Sequence, residues 1–322
     1  MTTRIAVLGD SFVDVVAGTL ARDQLPKWGG DVECSLPIQL QPGGSALNTA
    51  THLANLAKTS DNSAIQVELH TVVGSDAFGD VLKQHLDSRG IHLTSPVIEG
   101  VPTGVCIVLS GVEDRSFVTH YGAARKFSPE HIDEERILSA SHIHIGGFYS
   151  CTNLQSKLKP LLEKARAKGI TISLDTNYDS TEAWSELEEI LPLLDVFMPN
   201  EVEAMKVSRT HSVDEATKYF AERVPGLTLI KIGAGGARAY CAKTKRSYSC
   251  GSFKAQVVDV TGAGDSFNSG FLFAWKTTGG DVDKGLQWGC GTASRCVAAL
   301  GACAVPITHS EVQEAIASGI KN

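Results

Sequence analysis

The chain is 322 residues long, with 43% hydrophobic and 20% charged residues and a formal net charge of −7. A chain of this length buries a sizeable core, and its negative charge gives no electrostatic reason to bind nucleic acid or an anionic membrane surface; the longest basic stretch, Lys243 to Arg246, holds only three positive residues. No apolar run reaches the roughly 18 residues of a membrane-spanning helix.

The first residues, MTTRIAVLGD, enter an apolar strand at Ile5–Leu8 without a basic and hydrophobic leader, so a cytoplasmic location is expected. From Val13 to Leu40 the pattern is irregular. Leu47, Ala50, Leu53, Ala54 and Ala57 then recur at helical spacing, and Val67–Val73 reads as the next strand. Val101 to Gly122 is a second irregular stretch, read as a hairpin that includes a strand at Val105–Leu109. Apolar strands follow at His142–Ile145, Ile170–Leu174, Val196–Met198, Leu227–Ile232 and Ala237–Cys241, separated by segments of helical period. Phe267, Phe271, Ala274 and Trp275 mark a late helix, while Ser128–Pro129 and the Thr308-x-x-Glu311 box read as helix starts.

Short apolar strands alternating with longer helical segments predict a mostly parallel central sheet with helices on both faces. With no linker or repeat in sight, residues 1–322 read as a single α/β domain. The two irregular stretches, about 13–40 and 101–122, read as a small β lid beside the active site. His142 and His144 alternate with Ile143 and Ile145, a pattern that a strand with one polar face explains better than a two-histidine metal site. The eight cysteines, Cys34, Cys106, Cys151, Cys241, Cys250, Cys290, Cys296 and Cys303, form no C-x-x-C pair. They read as reduced core thiols.

The densest chemical signal is VVDVTGAGDSFNSGF at 257–271. Gly262, Ala263 and Gly264 precede an amphipathic helix whose first turn holds Asp265. Small residues let a ligand approach the backbone, and amides at a helix N-terminus bind anions. A carboxylate placed there can take a proton from an attacking hydroxyl while the amides hold a transferring phosphoryl group. Taken alone, the same string also fits a turn with a capping aspartate. The chain carries neither G-x-x-x-x-G-K-[ST] nor a G-x-G-x-x-G opening its first βα turn, so P-loop and dinucleotide readings lose their main support.

GGSALNTA at 43–50 and DVTGAGDSF at 259–267 together resemble the two signatures of the ribokinase-like (PfkB) carbohydrate kinase family, which includes ribokinase, fructokinase, ketohexokinase and adenosine kinase. The resemblance runs in order from Gly9 to about Pro306, with VGSDAFG at 73–79 similar to another strand end of the family. It implies a ribokinase-like fold and ATP-dependent phosphorylation of a hydroxyl on a small sugar, with Asp265 as base and Gly262, Ala263 and Gly264 as the anion hole. On the acceptor side it implies Asp14, Gly43, Gly44 and Asn48. MPNEVE at 198–203 resembles the N-x-x-E element, giving Asn200 and Glu203 a role in ordering Mg²⁺ and its waters. LIKIGAGGA at 229–237 puts Lys231, Gly233, Gly235 and Gly236 beside ATP, and WGCGTASRCVAALGA at 288–302 puts Cys290 against the base. Asp259 and the Gly301 turn match a monovalent-cation site, so potassium is a second expectation; Cys303 to Val305 lack the side-chain hydroxyl that some members supply.

The acceptor stays open among fructose or another ketohexose, ribose and 2-keto-3-deoxygluconate. Ribokinase-type sequences carry Lys-Gly after the glycine pair, where this chain has Ser45 and Ala46. PKWGGDVEC at 26–34 and EDRSF at 113–117 resemble ketohexokinase-like lids, which adds Asp31 and Arg115 as acceptor contacts. The alternative is a nucleoside kinase of the same fold, its base held by Phe12, Trp28, Phe117 and Tyr121. A non-catalytic sensing member would have lost the base or the anion hole, and both are intact here. Related kinases often pair through the lid, so a homodimer is expected.

Overall fold

The computed structural model describes residues 3–20, 28–34, 36–61, 65–94, 96–111 and 115–319. A nine-stranded sheet forms the body, in the order Arg246–Cys250, Ala237–Cys241, Leu227–Lys231, Val196–Phe197, Thr171–Leu174, His142–Gly146, Thr3–Gly9, Ile65–His70 and His92–Leu93. Every pairing from Leu227–Lys231 onward is parallel, and Ala237–Cys241 runs antiparallel to both its neighbours.

Strand Thr3–Gly9 shows why the sheet is covered on both faces. Its residues alternate between two cores: Ala6 and Leu8 pack with Ile143, Ile145 and Leu162, while Ile5 and Val7 pack with Leu47, Ala50 and Leu53. A buried parallel strand therefore needs an unbroken apolar run. Helix Leu158–Ala167 covers the first face with Leu158, Leu161, Leu162 and Ala165, at the spacing of a helical stripe. Helices Ser45–Thr59 and Ala263–Thr277 lie together on the other face, where Ser269 Oγ donates to Thr49 O at 2.9 Å. That pairing fixes the relative position of the two glycine-containing motifs.

The second sheet has four strands in the order Gln39–Gly43, Phe12–Leu20, Val105–Gly111 and Arg115–His120. Its outer pairs are antiparallel and its central pair is parallel. The expected hairpin at 101–122 is present, and strands stand at both ends of the 13–40 stretch. Val16, Cys106 and Val108 form the small core of this sheet, and Leu40, Ile107, Phe117 and Val118 are exposed. Phe12–Leu20 begins three residues after the central strand Thr3–Gly9 ends, which carries the sheet over the carboxyl ends of the parallel strands. Pro26, Lys27, Glu113, Asp114 and the side chain of Arg115 lie outside the described residues.

Other differences from the sequence reading are local. The expected strand Val67–Val73 is split into Ile65–His70 and Val73–Gly74, the latter pairing with Val97–Ile98. His142 and His144 give their strand the expected polar side, and both are fully buried. Their rings hydrogen-bond the hydroxyls of Thr171 and Ser173 on the adjacent strand. Burial holds both imidazoles well toward the neutral form, with His144 down to about 4. Among the described residues no group of three His, Cys, Asp or Glu is arranged to hold a metal, and no helix is long and apolar enough to cross a membrane.

Candidate active site

Helix Ala263–Thr277 starts at Gly262, whose φ of 72° is in the left-handed region. A Cβ at Gly262 would lie 2.6 Å from Ala302 Cβ, so conformation and space both require glycine. Gly262→Ala is expected to cost about 1–3 kcal/mol of stability; a thermal midpoint equal to that of the wild type would contradict this. The amides at a helix start lack intrahelical acceptors. Ala263 N is turned to Val260 O at 3.3 Å, so among these three residues the amides left for an anion are those of Gly262 and Gly264.

Asp265 occupies the first turn and lines the large cavity. Both its oxygens are held by the neighbouring helix Ser45–Thr59: Ser45 Oγ donates to Oδ1 at 2.6 Å and Asn48 Nδ2 donates to Oδ2 at 2.8 Å. Burial, and then repulsion from Asp175, push its carboxyl up to about 6, against the opposing pull of Ser45, Asn48 and Lys231. A carboxyl in this range is mostly ionised at neutral pH yet basic enough to accept a proton.

The acceptor-side residues converge beside it. A Cβ on Gly43 would stand 2.3 Å from Asp14 Oδ2, and one on Gly44 (φ 96°) would stand 2.8 Å from Ser11 Cα, so the glycine pair lets two strand ends approach. Burial raises Asp14 to about 7, reinforced by Asp10, Asp265 and Asp259. Asn48 Oδ1 is buried and has no hydrogen-bond partner among the described residues, so it is open to a ligand hydroxyl. Asp10, which the sequence reading passed over, is buried at the same strand end and accepts from Ala46 N at 3.0 Å. Asp31 is exposed.

A cavity of about 560 Å³ opens on the other side of Asp265, lined by Asn200, Glu203, Lys231, Gly233, Gly236, Cys290 and the Gly262–Gly264 turn. Gly235 is not part of the lining: the position of its Cβ faces the Ile232 side chain at 3.1 Å. Asn200 caps helix Glu201–Ser208 in a reciprocal box, its Oδ1 accepting from Glu203 N while Glu203 Oε2 accepts from Asn200 N. Glu203 is buried and its carboxyl is raised by desolvation and by Asp175.

Asp175 is the main residue that the sequence reading missed. It accepts from Lys231 Nζ at 2.6 Å and from Asn268 Nδ2, all three groups being buried. The available signal was an acidic residue directly after the apolar strand Ile170–Leu174, at the carboxyl end where ligands bind in parallel sheets. Asp259 and Gly301 do meet, with Gly301 N donating to Asp259 Oδ2 at 2.9 Å and Thr261 N and Oγ1 bonded to Oδ1.

A mostly parallel nine-stranded sheet with a small second sheet, and a buried carboxylate at a glycine-turned helix start beside a large cavity, are the features of a ribokinase-like phosphotransferase. The chain belongs to the pfkB family of carbohydrate kinases, whose family profile matches residues 2–309. The ATP-dependent ribose-1-phosphate kinase of Halopiger xanaduensis is 30% identical, with 86% of this chain and 88% of that one covered. The adenosine kinase of Saccharomyces cerevisiae is 25% identical, covering 94% and 96%. The structure of Arabidopsis thaliana ribokinase complexed with ribose and ATP superposes with a TM-score of 0.81 at 23% identity, over 98% of this chain and 99% of that one.

Proposed function

We propose that the chain transfers the γ-phosphoryl group of ATP to a hydroxyl of a free sugar, with Asp265 taking the hydroxyl proton. The observation that carries this reading is the position of Asp265, which lines the nucleotide-sized cavity while Asn48, hydrogen-bonded to it, and nearby Asp14 supply directional groups on the other side. The Gly262 and Gly264 amides, with Lys231, stabilise the charge on the transferring group. Phosphoryl transfer asks little covalent chemistry of the protein, so alignment and charge stabilisation dominate. Gly233, Gly236 and Cys290 bound the nucleotide, and the four-stranded sheet acts as the lid that excludes water.

Glu203 and Asn200 offer the hard oxygen donors that suit Mg²⁺ held through water, and the buried Glu203 carboxylate lines the cavity. When bound, Mg²⁺ neutralises phosphate charge. Asp259 and the Gly301 turn would hold a potassium ion.

A free sugar is favoured over a nucleoside by the aromatic groups. Trp28 is fully exposed and Phe117 half exposed, which leaves Phe12 and Tyr121, packed edge to face at 5.9 Å, as the ring pair of the expected set. The Halopiger relative acts on a sugar phosphate, but here Asp10, Asp14 and Asp265 oppose a second phosphate. An ATP-consumption screen over pentoses, hexoses, ketosugars, ribose 1-phosphate and nucleosides, with and without potassium, tests this reading. Adenosine or a sugar phosphate consumed far better than any free sugar would reject it.

The exposed Leu40, Ile107, Phe117 and Val118 of the lid sheet support pairing of two chains through this face. Sedimentation is expected to show a dimer at working concentration; a fully active monomer would remove the idea. All cysteines are free thiols, which fits a reducing compartment such as the cytoplasm.

A further inference from the structure

Ser45 opens helix Ser45–Thr59, is only 3% exposed, and points its hydroxyl at Asp265 Oδ1 from 2.6 Å. Asn48, one helical turn later, takes Oδ2. Two donors at i and i+3 on one helix therefore grip both oxygens of one carboxylate, which stops it from rotating. We propose that Ser45 is a positioning residue for the reaction: it sets the plane of the Asp265 carboxylate and keeps it in the charged form, so that the lone pairs left over face the acceptor hydroxyl. This rests on the reading of Asp265 as the base.

A carboxylate has about four lone-pair sites. Ser45 and Asn48 use two of them and leave about two in fixed directions for the incoming proton. The hydroxyl is itself firmly placed, since Asp10 Oδ1 takes the next amide, Ala46 N, at 3.0 Å, and Gly44 turns the chain into the helix at φ 96°. Asp10 thus supplies the cap that Gly44, having no side chain, does not.

The remaining surroundings favour the protonated carboxyl. Asp175 repels it, and Asp14, from the lid strand, shares the acidic cluster with Asp10 and Asp259. Lys231, the cation that acts on Asp265 among the described residues, is itself paired with Asp175 at 2.6 Å. The nearby thiols of Cys296 and Cys303 are held neutral by burial. Against burial and Asp175, the hydrogen bonds from Ser45 and Asn48 are the first two influences that lower Asp265, ahead of the charge of Lys231.

The test is the titration of the Asp265 side-chain carboxyl, followed by ¹³C NMR on the aspartate-labelled full chain and assigned with Asp265→Asn. Ser45→Ala is expected to move the Asp265 midpoint about one pH unit higher, while Ser45→Thr, which keeps the hydroxyl, restores it. With the best acceptor of the screen, the acid limb of kcat/KM should move by the same amount, and turnover of Ser45→Ala on the alkaline plateau should stay below wild type because the carboxylate is no longer held in one plane. An unmoved midpoint in a folded Ser45→Ala protein overturns the inference. If the midpoint moves and the acid limb does not, then Asp265 is not the base, and the parent reading falls instead.

Discussion

Asp265→Asn is expected to lower kcat by about 10²–10⁴, with the KM values for acceptor and ATP nearly unchanged. The substitution keeps the size of the side chain and removes the group that accepts the proton. The asparagine NH₂ can face Ser45 and donate to Oγ, a hydroxyl that accepts as well as donates, while its carbonyl oxygen keeps the bond from Asn48 Nδ2, so both contacts survive. Folding and chemistry are separable in this variant. Because Asp265 titrates higher in the fold than the ordinary carboxyl value of 3.8, its charge opposes folding once the pH exceeds that value. The neutral asparagine should therefore be as stable as the wild type or more so at pH 8. Turnover within tenfold of wild type would remove Asp265 as the base. A lower kcat accompanied by a large drop in Tm would point to a structural role.

How far the sequence reveals this site depends on which residues act through local pattern. The glycine turn is legible because a small residue at a helix start is a local requirement, and the structure shows the reason at Gly262 in its left-handed φ and the closeness of Ala302. The parallel sheet is legible because strands such as Ile5–Leu8 must be apolar on both faces. Asp175, Asp10 and Ser45 were not legible. Each acts through a partner more than 30 residues away: Lys231 for Asp175, Ala46 for Asp10 and Asp265 for Ser45. No local pattern announces such a pairing. Strand Arg246–Cys250 escaped for another reason, since it lies at the sheet edge and alternates polar residues with Tyr248 in place of a continuous apolar run. Asp31 and Arg115 rest on a resemblance of the lid alone, and Asp31 is exposed in the fold.

Asp14→Ala is expected to reduce kcat/KM for the sugar by about 2–4 kcal/mol while the KM for ATP changes little, because sugar hydroxyls left unpaired in a buried site lose their full hydrogen-bond compensation. The lid strand Phe12–Leu20 carries Asp14 to the acceptor side, where Gly43 packs directly against its carboxylate. Asp265 lines the large cavity and Asp14 does not. The same residue predicts an opposite effect on stability. Burial and three neighbouring carboxylates raise Asp14 to about 7 from 3.8. For a carboxyl raised in this way, the folded state holds its proton longer than the unfolded chain, so stability is greatest below 3.8 and falls as the pH rises toward 7. Asp14→Asn removes that charge and retains the side-chain volume. Its Tm should exceed the wild-type value at pH 8, and the difference should shrink toward zero near pH 4. A variant that loses sugar turnover while gaining stability only at the higher pH identifies a carboxylate kept for binding at the expense of the fold. If Asp14→Asn is instead destabilised equally at pH 4 and pH 8, the carboxylate supports the lid and not the acceptor. Trp28→Ala completes the comparison, since an exposed ring that does not hold the acceptor should leave sugar kcat/KM within a few-fold of wild type, whereas a loss as large as that of Asp14→Ala would favour a stacked nucleoside base.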